Sequence, residues 1–217
     1  MADIFHEVDE EVRRERLQKL WDRYGIYLIV LAVLIVAGIG AWRGYEYWLA
    51  KKAAEAGANF EAAVTLSDAG KHAEAEAAFA KVAADAPSGY RALARLRAAA
   101  ETAQTDPAAA VKAYDAISAD GSLEQTLRDL AAIRAAMLVV DNAPLADMHR
   151  RLDTLAEPSR PFRHNARELL ALSAWHNGDA ATARRYIDMI TTDAETPPGT
   201  RQRIDVLSAL IAANRKS

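Results

Sequence analysis

Four stretches of this chain carry the same pattern of one small and two bulky apolar residues at a nearly constant interval. Ala75, Phe79 and Val82 recur as Ala110, Tyr114 and Ile117, 35 residues further on. Met148, Leu152 and Leu155 follow after 38 residues, and Ala183, Ile187 and Ile190 after another 35. Apolar residues at i, i+4 and i+7 share one face of a helix. A repeat of this length holds two short amphipathic helices. One such pair cannot bury its apolar face alone, so the copies must stack. Composition supports the same reading. Of 217 residues 49 are Ala, with only 10 Gly and 7 Pro, and Ala is the strongest helix former. The expected fold is all-α, a helical repeat solenoid.

Helix ends are marked where the pairing requires them. Gly70, Asp106-Pro107, Asn142 to Pro144 and Gly178-Asp179 separate the two helices of each pair. Pro87 to Gly89, Asp120-Gly121, Pro158 to Pro161 and Pro197 to Gly199 separate one pair from the next. Copies one and four are the most regular. Copy two has Thr105 in place of the Gly of the inter-helix turn, and copy three is degenerate, with Met148 where a small residue is usual. After Gly199, residues 200–214 predict an amphipathic capping helix over the last open face of the stack, with Ile204, Val206, Leu207, Leu210 and Ile211 as its apolar residues.

The N-terminal quarter follows a different rule. From Tyr24 to Trp42 no residue is charged. Nineteen helical residues span roughly 28 Å, close to the hydrocarbon thickness of a bilayer. Trp21 and Tyr24 flank one end, and Trp42, Tyr45, Tyr47 and Trp48 the other, as interfacial aromatics do. The expected organisation is a cytoplasmic amphipathic tail (1–23), a transmembrane helix (24–42), a juxtamembrane linker (43–52) and the repeat domain (53–217). In the tail, Val8, Val12, Leu20 and Tyr24 oppose Glu7, Glu10, Glu11, Arg14 and Lys19. Arg13, Arg14, Arg16, Lys19 and Arg23 before the span outnumber Arg43, Lys51 and Lys52 after it. This balance places the N-terminus inside and the repeats outside. A cleaved signal peptide ending near 37–41 is the rival reading of the same run. Ala37, Gly40, Ala41 and Gly44 place small residues on one side of the helix, the arrangement that lets membrane helices approach closely.

A period near 34 in helix–turn–helix units is the tetratricopeptide spacing. The combination of a short tail, a span opening Trp21-Asp-Arg-Tyr-Gly25 and closing Trp42-Arg-Gly-Tyr45, and Ala-rich repeats resembles the YfgM-type family. Members of that family are ancillary subunits of the SecYEG translocon with a periplasmic repeat domain. The resemblance implies inner-membrane anchoring, a periplasmic C-terminal domain, and contact with translocon subunits, periplasmic chaperones and exported polypeptides. In such a stack the first helix of each pair lines the concave side. The groove positions expected from the repeat register are Phe60, Val64, Arg95, Leu130, Ile133, Met137, Leu172 and Trp175. This lining is mostly apolar and suits unfolded or helical segments of other proteins.

Nothing in the sequence assembles a reaction centre. The five His stand without a ligand-spaced partner. The serines lack a nucleophile elbow, and no Gly-rich phosphate loop lies outside the apolar run. A chain without Cys has no disulfide, thiolate metal site or lipidated cysteine. A net charge of −3 is unsuited to nucleic-acid binding through bulk positive charge. The reading is a protein-binding adaptor, not an enzyme, without cofactor, nucleic-acid or small-molecule substrate. The alternative is a regulatory or structural protein of envelope biogenesis, acting through the cytoplasmic tail or on cell-wall machinery.

Overall fold

A computed structural model describes the backbone of residues 3–214; the side chains of 3–17, 19, 20, 88 and 214 lie outside the described residues. The amphipathic pattern assigned to the tail, with most of its basic residues, therefore falls outside what the structure describes. Among the described residues every regular element is helical. Contacts divide the chain into two compact units, with the boundary between Ala54 and Glu55.

The first unit is formed by most of α1 (Asp3–Asp68). From Ile26 to Val36 its large apolar side chains are all exposed. Among the described residues this is the one helix long and apolar enough to cross a membrane. Residues 43–52, expected as a linker, are helical: apart from Gly44 they contain no helix breaker.

The second unit begins with the last turns of α1 and continues through α2 (His72–Asp85), α3 (Ser88–Thr105), α4 (Pro107–Ser118) and α5 (Gln125–Val139). It is completed by α6 (Leu145–Leu152), α7 (Arg163–His176), α8 (Ala180–Thr191) and α9 (Pro198–Asn214). A 3-10 turn, Asp153–Leu155, extends α6. Four helix pairs result, closed by α9. All twelve residues of the repeated pattern are buried, including Met148 in the irregular third copy. Opposite them, in the first helix of each pair, a small residue is buried at Ala63, Ala99, Ala136 and Ala171. Ala63, Ala75 and Phe79 share one core cluster; Ala99, Tyr114 and Ile117 share the next. The third and fourth pairs merge into one larger core, which α9 covers with Ile204, Leu207 and Ile211.

The turns inside the pairs explain the register. Gly70 and Gly178 have φ of +72° and +78°, a conformation that costs a side-chain-bearing residue about 1 kcal/mol or more. Past them the chain folds back to bond the last helical carbonyls: Lys71 N–H donates to Leu66 and Asp179 N–H to Ala174. The second pair is built differently. Thr105 remains helical, and Asp106 alone separates α3 from α4. Its carboxylate accepts from Ala109 N–H at 2.9 Å, ahead of Pro107 in the first turn. The two matched small positions are thus 11 residues apart in the second pair (Ala99 to Ala110). They are 12 apart in the others, as in Ala63 to Ala75.

The Phe79 ring is fully buried and edge-on to Phe60, with centroids 5.1 Å apart. Replacing it with Ala should lower stability by about 3–5 kcal/mol, through lost transfer free energy and the cavity left behind. Thermal unfolding of the full chain in detergent, followed by circular dichroism, measures this. An unchanged melting temperature would refute the packing described.

Candidate protein-interaction surface

Each pair offers its first helix to one face of the stack, so the composition of that face decides what it can hold. In α3 the exposed residues recur as Leu93, Arg97 and Gln104, with half-buried Ala100 between them. In α5 the matching positions are Leu130, Arg134 and Met137, and the row continues to Asp141 in the turn that follows. Both rows run i, i+4, i+7, i+11 and lie along one side of a helix. Asp141 at the end of the α5 row meets His176 at the end of α7, with 3.3 Å between Oδ1 and Nδ1. The exposed ends of α5 and α7 therefore meet on one surface.

The residues expected in a groove divide three ways. Leu130 is half-buried and Met137 is 50% exposed; both belong to the row on α5. Leu172 and Trp175 are half-buried, and both pack against the C-terminal core. Phe60 and Val64 pack against the N-terminal cores, and Ile133 is buried inside the C-terminal one, with 3% of its surface exposed. Arg95 is held by Asp120, at the end of α4, with its Nη1 donating to Oδ2 at 2.5 Å. The residue that α3 offers in its place is Arg97. The shortened α3–α4 turn moves the open face of α3 by one position. Counting back from the second helix, as the sequence register does, therefore misses Leu93 and Arg97.

Charged residues buried in the stack act across pairs. Glu101 on α3 accepts from Ser67 Oγ at 2.6 Å and pairs with His72 at 2.8 Å. These hydrogen bonds hold its carboxyl below the ordinary value despite burial, which acts in the opposite direction. His72, the first residue of α2, thus pairs with a carboxylate of the next helix. Asp129 is buried, accepting from Gln125 and Arg160. Arg203 on α9 donates through both Nε and Nη2 to Glu168 on α7, and Arg151 is similarly two-pronged on Asp115. Arg163, His164 and Arg167 converge on Asp193, which ties α7 to the α8–α9 connection. The hydrogen bond from Arg163 is the largest cause of a strong downward shift of Asp193. Glu101 and Asp193 are shifted by the same partners that tie neighbouring helices together. Among the described residues no group of three or more His, Asp or Glu is arranged to hold a metal ion.

A model of the tetratricopeptide repeat-like domain matches residues 18–186. The chain belongs to this family. No curated protein and no solved structure matches it. Tetratricopeptide repeat-like domains are protein-interaction scaffolds whose stacked helices offer extended concave surfaces. The family match includes both the apolar helix and the repeats.

The Asp120 carboxyl is lowered from 3.8 to about 2, chiefly by the hydrogen bond from Arg95 and then by Ser122. A lowered carboxyl stabilises the fold while ionised. That contribution is complete above pH ~4 and fades as pH falls toward about 2. Asp120→Asn should lower stability by a constant amount above pH ~4 and flatten the curve below it, so that parent and variant converge as pH falls toward about 2. Unfolding monitored by circular dichroism from neutral to acid pH checks it.

Proposed function

We infer that this protein is a membrane-anchored periplasmic adaptor of the bacterial inner membrane. It acts beside the Sec translocon, linking it to periplasmic chaperones and exported polypeptides. The observation carrying this reading is the extent of the family match. It begins at residue 18 and so takes in the apolar helix with the repeats, as one unit. The exposed apolar residues of α1 support a lipid environment, and the flanking aromatics support interfaces at 21–24 and 42–48. The helix continues unbroken into residues 55–68, whose Ala56 and Ala63 are core residues of the repeat domain. That continuity favours an anchor over a removed signal sequence. The excess of basic residues before the span supports a cytoplasmic N-terminus with residues 43–217 in the periplasm. The resemblance to the YfgM-type family supplies the translocon as partner.

Two contacts divide the work. In the membrane, Ala37, Gly40, Ala41 and Gly44 form the docking face. A Cβ on Gly40 or Gly44 would meet nothing within 4 Å, so the face is open to another helix. Outside the membrane, the first-helix face takes soluble partners, with Leu130 and Met137 on α5 and Leu172 and Trp175 on α7.

Protease added to osmotically opened cells should digest residues 43–217 and spare the tail. Digestion of the tail alone would reverse the orientation, and a mature chain lacking 1–41 would restore the signal-peptide reading. Gly40→Ile should reduce co-purification with translocon subunits in mild detergent while leaving helical content unchanged. Trp175→Ala should spare that association. If this variant keeps its melting temperature, it should weaken crosslinking to soluble partners by about an order of magnitude, the effect of losing an aromatic anchor. Co-purification unaltered by Gly40→Ile would remove the docking face from this account.

A further inference from the structure

The face shared by α3 and α5 has a chemistry that narrows what it can bind. Arg97 and Arg134 are both exposed. Among the described residues neither makes an ion pair or a side-chain hydrogen bond. Of the other described arginines of the repeat domain, Arg95, Arg150, Arg151, Arg160, Arg163, Arg167 and Arg203 hold carboxylates, and Arg184 and Arg185 on α8 are, like Arg97 and Arg134, without one. The Arg97 and Arg134 guanidinium groups stand on adjacent first helices that close over one cluster, which includes Ala99, Tyr114, Ala131 and Ala135. Both also act electrostatically on the Tyr114 phenol, so they flank the same place. Leu93, one turn before Arg97, is 48% exposed, and Met137, one turn after Arg134, is 50% exposed. The acidic groups near them along the chain are already committed: Glu101 to Ser67 and His72, Asp129 to Gln125 and Arg160, and Asp141 to His176.

We propose that this face docks an acidic amphipathic segment of a partner protein. Arg97 and Arg134 take its carboxylates, and Leu93 and Met137 take its apolar side chains. The proposal rests on the first-helix face being a protein-binding surface, and it adds the charge of what binds there. Guanidinium forks pair with carboxylates two-pronged. The Met side chain adapts to apolar groups of varied shape. Two cations without a hydrogen-bonded partner, set among Leu, Met and Ala, match separated acids on an apolar scaffold. A nucleic acid would call for an extended basic stripe, which this near-neutral domain lacks.

The test uses the full chain in neutral detergent micelles and fluorescein-labelled amphipathic peptides that alternate Leu with Glu, Gln or Lys. Anisotropy against micelles alone gives the affinities. The Glu peptide should bind about tenfold more tightly than the Gln peptide, and the Lys peptide most weakly. Added salt should shrink the difference. The double variant Arg97→Gln/Arg134→Gln should lose the preference for Glu while keeping the Gln-peptide affinity and the melting temperature. Equal binding of Glu and Gln peptides by the parent, or an undiminished Glu preference in the double variant, overturns the proposal. Leu93→Asp and Met137→Asp separate that failure from failure of the groove itself. If they abolish a charge-blind binding, the surface stands and its acid selectivity falls. If no peptide binds the parent, both fall.

Discussion

The repeat domain depends on four close helix contacts, each made where a buried alanine of the first helix faces the second. Ala63, Ala99, Ala136 and Ala171 let the two helices of a pair approach. The bulky residue four positions beyond the partner site (Phe79, Tyr114, Leu152 or Ile187) then fills the space beside the contact. A larger first-helix residue would hold the pair apart and leave that side chain without neighbours. Core interiors tolerate neither voids nor overpacking well. The third pair shows how much latitude exists: Met148 replaces the small residue in the second helix, and an unbranched, flexible side chain is the type best able to fit there.

Packing within pairs does not by itself join one pair to the next. Long polar side chains contribute to that joining at sequence separations close to one repeat. Ser67 to Glu101 spans 34 residues, Arg151 to Asp115 36, Arg160 to Asp129 31 and Arg203 to Glu168 35. Asn177 to the Ala143 carbonyl spans another 34. Each bond crosses a boundary between neighbours, where a solenoid gains its cooperativity. Several of the carboxylates are buried, so removing one partner would leave a charge without water or counterion.

The sequence revealed the fold through local rules. Gly70 and Gly178 mark helix ends because only glycine takes a positive φ without strain. Apolar residues at i, i+4, i+7 mark the buried side wherever a helix packs on one face. The polar clamps were hidden because their partners lie a full repeat away, beyond any helical period. Glu101 and Asp129 look in sequence like residues of solvated faces. The exposed rows of the first helices were half legible for a related reason. Leu130 and Met137 are apolar and stand out against a helical period, whereas Arg97 and Arg134 carry charge and resemble ordinary surface residues. Ile133 sits one turn from Leu130 yet belongs to the core, because α5 is enclosed on two sides by α4 and α7.

The single-residue connection between α3 and α4 has a further meaning. Adding one residue to that connection would set Ala99 and Ala110 12 apart, the spacing of the other pairs, and keep the same residue at the contact. Adding it inside α3 after Ala99, with the single-residue connection kept, would turn the preceding part of the helix by about 100° and show Ala94 and Ala98 where Leu93 and Arg97 look out now. In this architecture the length of a helix and its turn together select which amino acids face the outside. A deletion or insertion far from any contact could therefore change what the surface recognises, without altering one side chain on it.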